Sequence, residues 1–259
     1  LEQWLADFSE LSAAYGEEGS SRYIAMTTQT DDPVREAAYQ TFVEEIVPKI
    51  KPLAQEAEKA YLANPHRKQL SAQRYSVLDR KSANSVALFR EENVPLETQD
   101  ELLSKDYHKL MGVMTISVNG AELTLQQAAK VLEQPDRALR QRVWEQMAGR
   151  RLKDKDALDE IYDKLVALRT KTAANAGFSN FRDLAFRQRE RFDYTAEDCF
   201  HFHDGVERAV MPLARKLRAR RQQLLKVDTL RPWDLSVDPL NRAPLAPFST
   251  TADFVEGTR

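Results

Sequence analysis

The sequence predicts a mostly α-helical fold: a multi-helix lobe carrying a single β-hairpin at about residues 113–125. Three observations point there. Glycine is scarce, at 8 of 259 residues, and the chain is rich in the helix formers Ala, Leu, Glu, Lys, Arg and Gln. Apolar residues recur at three- and four-residue spacing over long stretches. Only one segment alternates apolar and polar residues around an Asn-Gly pair, which tolerates the positive φ angles of a two-residue hairpin turn.

The elements follow in order. Trp4, Phe8, Leu11 and Tyr15 form one helical stripe, which Gly16 is expected to close. Asp32-Pro33 is a helix start, because Asp accepts orphan N–H groups and Pro loses no hydrogen bond in a first turn. Ala38, Phe42 and Ile46 share the next face. Pro48 and Pro52 predict a kink or break before a segment Leu53–Tyr61, and Asn64-Pro65 ends it. Residues 66–110 read as helical pieces, with Asn93-Val94-Pro95-Leu96 as a loop between them.

The hairpin pairs Val113–Val118 with Ala121–Leu125 across Asn119-Gly120. A lone hairpin is marginal in water, so it is expected to dock on helices. Thr124 and Gln127 have capping-box spacing, and Gln134-Pro135-Asp136 punctuates before a stripe of Leu139, Val143 and Met147. Leu158, Ile161, Tyr162, Leu165 and Val166 predict a buried helix face. Gly177-Phe178 reads as a helix stop with a hydrophobic clasp, and Thr195 with Asp198 as a second capping box. The stripe Cys199, His203, Val206, Val210, Leu213, Leu217 and Leu224 follows, with a kink expected at Pro212. Residues 1–225 thus form the helical lobe. Residues 226–259 carry Pro232, Pro239, Pro244 and Pro247 and read as a Pro-rich arm, ordered around Arg231–Leu235 and ending at Arg259 without a completed element.

Lys plus Arg number 38 against 40 Asp plus Glu, a net charge of −2, which disfavours nucleic acid or anionic lipid as partner. No apolar run reaches the roughly 18 residues of a membrane span. The single cysteine, Cys199, forbids an internal disulfide and suits a reducing, cytoplasmic compartment. The first residues, Leu1-Glu2-Gln3-Trp4, lack an initiator Met and a signal-peptide pattern, so the chain is expected to start inside a longer protein.

No catalytic constellation is legible. The histidines are His66, His108, His201 and His203, and none begins a His-Glu-x-x-His helix. On a helix His201 and His203 point about 200° apart and cannot share a metal, so His203 reads as structural and His201 as surface. Cys199 reads as a small buried hydrophobe. No P-loop, Gly-x-Ser-x-Gly or dinucleotide fingerprint occurs. Carboxylate pairs such as Asp31-Asp32, Glu44-Glu45 and Glu91-Glu92 read as solvated helix faces. The basic run Arg215–Arg221 suits the C-terminal part of a helix. Arg182, Arg187, Arg189 and Arg191 are expected in an inter-helix salt-bridge layer.

Several segments nevertheless resemble one family in order and spacing. They are Phe89–Leu96, Tyr107–Thr115 with Gly120, Leu123–Leu125 and Asp136-Arg137, Asn175–Asp183, Arg191–Thr195 and Arg231–Leu235. Together they are similar to oligoendopeptidase F proteins of the M3 peptidases. That resemblance implies a two-lobed helical zinc peptidase acting on short peptides. Its zinc ligands and catalytic Glu come from a His-Glu-x-x-His helix plus a later Glu, expected here downstream of residue 259, so no catalytic or metal residue is carried onto this chain and none of its residues is expected to hold zinc alone. The expected partner is a C-terminal catalytic half. A non-catalytic helical scaffold or adaptor is the alternative reading, and a nucleic-acid-binding helical domain a third.

Overall fold

The computed structural model describes residues 1–242 and 247–258. Pro244 and Arg259, which enter the expectations for the Pro-rich arm, lie outside the described residues. The described residues are mostly helical with one two-stranded antiparallel sheet. They divide into two compact units, one of Leu1–Met114 with Arg151–Phe200, the other of Thr115–Arg150 with the described residues from His201 onward.

In the first unit, α1 runs over Glu2–Thr28. Gly16 does not end it: a side chain there would meet nothing within 4 Å, and the cost of about 1 kcal/mol for an interior glycine is borne by flanking Ala and Glu residues. Trp4 stacks on Phe8 with ring centroids 5.4 Å apart. α2 covers Pro33–Thr41, and the Asp32 carboxylate accepts from the N–H groups of Val34 and Arg35 as the sequence implies. A π-helical turn, Phe42–Ile46, then leads into α3, Val47–Ala63. The expected break before Leu53 is absent. Pro48 sits in the first turn of α3, where its missing N–H costs little, and α3 continues through Pro52. The irregularity lies upstream, where the Val47 N–H donates to the Phe42 carbonyl five residues back.

α4 spans Ala72–Leu88. The expected loop at Asn93–Leu96 is instead a short 3-10 turn, Glu91–Asn93, joined to α5, Val94–Gly112. Pro95 lies in the first turn of α5, a position a proline tolerates as well as a loop position. α8, Lys155–Asn175, packs along α5, and α9, Phe181–Gln188, packs on α4 and α8. Met26, Tyr39 and Val43 form one core cluster with Leu102, and Ala173, Ala176 and Leu184 another with Leu88, Phe178 and Phe181. The clasp at Gly177-Phe178 is present, with Phe178 N–H donating to the Ala173 carbonyl at 2.9 Å and Gly177 at φ +86°. The face predicted buried on α8 is only partly so. Leu165 is buried, but Tyr162 and Val166 are exposed, because spacing reports a shared face and not what covers it.

In the second unit, β1 (Thr115–Val118) pairs with β2 (Ala121–Thr124) in the register Thr115↔Thr124 to Val118↔Ala121. Asn119 and Gly120 carry the positive φ angles the turn requires, +53° and +84°. Ile116 and Val118 are buried, and the hairpin rests on α6, Leu125–Ala129. Both halves of the Thr124–Gln127 capping box form. α7 is Arg137–Lys153, begun by Asp136, which accepts from the N–H groups of Ala138 and Leu139.

α10 runs unbroken from Ala196 to Leu225 through Pro212, started by the Thr195–Asp198 box. Its expected apolar stripe is there but none of its residues is buried. The arm ends in a completed helix, contrary to expectation: α11, Thr251–Gly257, is closed at its start by a reciprocal Thr250–Asp253 box. That box reads as two unremarkable polar residues when the short segment after it carries no apolar period. Among the described residues no helix is long and apolar enough to cross a membrane.

Candidate functional site

The side chains singled out from the sequence do not converge. His66 lies on a 3-10 turn, its Nδ1 3.4 Å from Gln69 Oε1. His201 and His203 fall on α10, a helix as expected, and both are exposed. Cys199 is half-buried, less covered than its stripe suggests. Among the described residues, no group of three or more His, Cys, Asp or Glu side chains is arranged to hold a metal ion. The zinc that the resemblance implies therefore finds no fitting donor set here, and no chemical step is derived through a metal on this chain.

The arginine cluster is not a salt-bridge layer. Arg187 donates to Asn84 Oδ1 at 2.7 Å and lies over the Phe192 ring, which Arg80 also covers at 4.5 Å. Arg191 stands over Phe186 and Tyr194. Guanidinium planes stack on aromatic faces as readily as they pair with carboxylates, and the aromatic residues of 178–194 supply those faces. Among the described residues, Arg182 alone of the four pairs with a carboxylate, that of Asp183, its own neighbour.

The segment Arg231–Leu235 is built around one buried acid. Asp234 is fully buried. Arg137 donates to both its oxygens at 2.9 Å, and Arg140, also buried, to one at 3.2 Å. The Arg231 N–H adds a fourth donor at 3.0 Å. Burial alone would raise the Asp234 carboxyl, but Arg137, the Arg231 N–H and Arg140 together hold it below its ordinary value. Arg221, from the basic run, donates to the Asp234 and Val237 carbonyls, and Trp233 packs on Trp144. This clamp fixes the start of the arm onto α7. Among the described residues the Asp234 carboxylate and the Arg140 guanidinium are both partnered, whereas the buried Trp233 indole N–H has no hydrogen-bond partner.

A cleft of about 460 Å³ lies in the first unit, walled by α1, the α2–π–α3 run and α5. Tyr23, Tyr39 and Phe42 supply one wall. Opposite, Glu97, Glu101, Ser104, Lys105 and His108 line up along α5, at helical spacings of three and four residues that share a face. Tyr23 hydroxyl and His108 Nε2 meet at 3.2 Å at one end, and Lys51 pairs with Glu97 at the other. Between them the Tyr39 hydroxyl donates to Glu101 at 3.3 Å. Burial first, and then the Glu101 charge, raise the Tyr39 phenol well above its ordinary value, so it remains a donor at any physiological pH. Gly19 makes room for the wall: a Cβ there would come within 2.9 Å of the Phe42 ring. Nothing in the sequence signals this cleft, since its residues are drawn from positions 19 to 108 and no two elements alone define it.

Comparison with known proteins gives this architecture a place. The family model "Peptidase family M3" matches residues 130–258, and "Peptidase M3 N-terminal domain" matches residues 1–89. Among solved structures, a chain from Bacillus anthracis str. Ames assigned as an oligoendopeptidase F superposes with a TM-score of 0.85 at 27% identity, covering 91% of this chain and 43% of that one. A second structure assigned as oligoendopeptidase F gives 0.87 at 29% identity, covering 92% and 42%. PZ peptidase A, solved with an inhibitor, gives 0.80 at 30% identity, covering 85% and 39%. No curated protein matches the chain. The fold is thus that of a helical peptidase lobe. The chain belongs to peptidase family M3, and it spans about two fifths of the length of the solved relatives it matches.

Proposed function

We propose that this chain is the N-terminal, substrate-enclosing part of a zinc-dependent oligopeptidase that hydrolyses short peptides in the cytoplasm. The observation that carries the reading is the superposition over about nine tenths of this chain on oligoendopeptidase F structures more than twice as long. In the proposal, the zinc ligands and the base come from a partner segment downstream of residue 259, and the stretch 226–259 leads toward it from the lobe 1–225. What this chain contributes is enclosure. Walls of packed helices admit flexible peptides, exclude bulk water and orient the substrate. The exposed edge of the hairpin offers backbone hydrogen bonds to an extended chain irrespective of its side chains.

The test is a series of quenched-fluorescent peptides of increasing length, given to this chain, to the downstream half and to the two co-expressed. Hydrolysis by the pair alone, abolished by chelator and falling with peptide length, is the expected result. Full activity of the downstream half with the same length preference would remove this chain from the reaction.

A further inference from the structure

We propose that the cleft between α1, α2 and α5 is a binding site for a primary ammonium group carried on an apolar stem, with Glu101 as its counter-ion. The inference does not rest on the peptidase reading.

It begins with the distribution of charge. Lys51 is paired with Glu97. Lys105 and Lys109 share Glu36, whose carboxyl the two lysines, Lys109 foremost, hold below its ordinary value, and Lys105 also reaches Asp106. Arg169 is taken by Asp100 in a two-point contact. Among the described residues this leaves Glu101 with the Tyr39 hydroxyl as its hydrogen-bond partner and no Lys or Arg within ion-pair distance. Arg169 acts on Glu101 through space but is bonded to Asp100, so this exposed carboxylate at the cleft is open to a direct ion pair with an entering cation.

The geometry around it selects the cation. An ammonium has three donors and no acceptor. The cleft offers Glu101 oxygen, the lone pairs of a Tyr39 hydroxyl whose proton is already committed to Glu101, and the hydroxyls of Ser20 and Ser104. The Tyr23 and Tyr39 rings in the lining supply negative quadrupoles for a cation and apolar surface for an alkyl stem, while Phe42, already under the Arg22 guanidinium at 5.7 Å and stacked on Tyr15, adds apolar surface only. The wall is also built in an unusual way. Phe42 and Val43 belong to a π-helical turn, a local geometry that is rare and frequent at functional sites. Gly19 leaves the Phe42 ring its space.

Two sources carry this chemistry, the α-amino end of a peptide and a lysine side chain. Calorimetric titration of the 259-residue chain separates them with leucine amide, N-acetyl-lysine methylamide and N-acetyl-leucine methylamide. Binding by leucine amide assigns the site to peptide amino ends; binding by the lysine derivative assigns it to side chains. The N-acetyl-leucine control, which has no ammonium, is expected not to bind. Glu101→Gln should weaken the ammonium ligand at least tenfold, and Glu92→Gln, an exposed acid outside the cleft, should leave it unchanged. Glu101 is itself exposed, so the variant is expected to keep its helical circular dichroism. Tyr39→Phe keeps the ring and removes an acceptor, and should weaken binding several-fold. Failure of both ammonium ligands at millimolar concentration, equal binding of the acetylated control, or full affinity in Glu101→Gln would each overturn the proposal.

Discussion

Helices α7 and α10 look alike in sequence and differ in the folded chain. Both are long, strongly charged, and striped with apolar residues every three or four positions. α7 buries Arg140, Val143 and Met147, whereas α10, at 30 residues nearly twice as long, buries none. Leu213 and Leu217 of α10 are 56% and 57% exposed, while Val143 is 0%. An apolar stripe states which residues share a face. Whether that face is covered depends on what the rest of the chain brings to it, and here the Asp234 clamp brings the arm to α7.

The difference should be largest at the clamp. Asp234→Ala strands Arg140 in a buried position, and removing one partner of a buried ion pair costs about 3–5 kcal/mol. Urea unfolding followed by circular dichroism should register that loss, and an unchanged midpoint would show that the arm contributes nothing to α7. The clamp also predicts an acid limb. Because the folded-state pKa of Asp234 is depressed, its contribution is complete above the ordinary carboxylate value of 3.8 and is lost as pH falls through the lower folded value. Stability measured below pH 4 should therefore fall more steeply in the parent chain than in Asp234→Asn.

A smaller effect is expected in the apolar part of the same helix. Val143→Ala opens a void at a fully buried site and should cost about 2 kcal/mol. On α10 the matching change, Leu213→Ala, should shift stability by no more than about 0.5 kcal/mol. A loss at Leu213 as large as that at Val143 would mean that α10 is covered in solution and would erase the contrast.

The same contrast marks what could be read from residues alone. Local chemistry was legible wherever a few adjacent side chains decide the outcome. Asp32-Pro33, the Thr124–Gln127 and Thr195–Asp198 boxes, Asn119-Gly120 and Gly177-Phe178 each fold as their residue types require. The mostly helical class and the hairpin followed from these signals and from composition. Punctuation misled where a breaker was outvoted by its surroundings: Gly16 stands in an otherwise helix-forming run, and Pro48 and Pro95 occupy first turns that tolerate them. The cleft was not legible at all. Tyr39 and Glu101 are 62 positions apart, and nothing in either segment names the other. Of the arginines at 182–191, sequence indicated the cluster but not its stacking, because pairing and ring contact draw on the same side chain.

The π-helical turn at Phe42–Ile46 has a consequence for rotational phase. Tyr39, Val43, Val47 and Lys51 all line the cleft, at steps of four residues. On a regular α-helix each such step advances 400°, so after three steps the last residue has drifted about 120° from the first. A wider turn, closed five residues back, takes up part of that drift and keeps all four on one side. The turn works as a phase corrector between α2 and α3. Regularising Phe42–Ile46 to α geometry with every residue kept would rotate everything after it by about 100°. Lys51 would swing off the cleft and leave Glu97 without its partner, while the sequence of α3 remained unchanged.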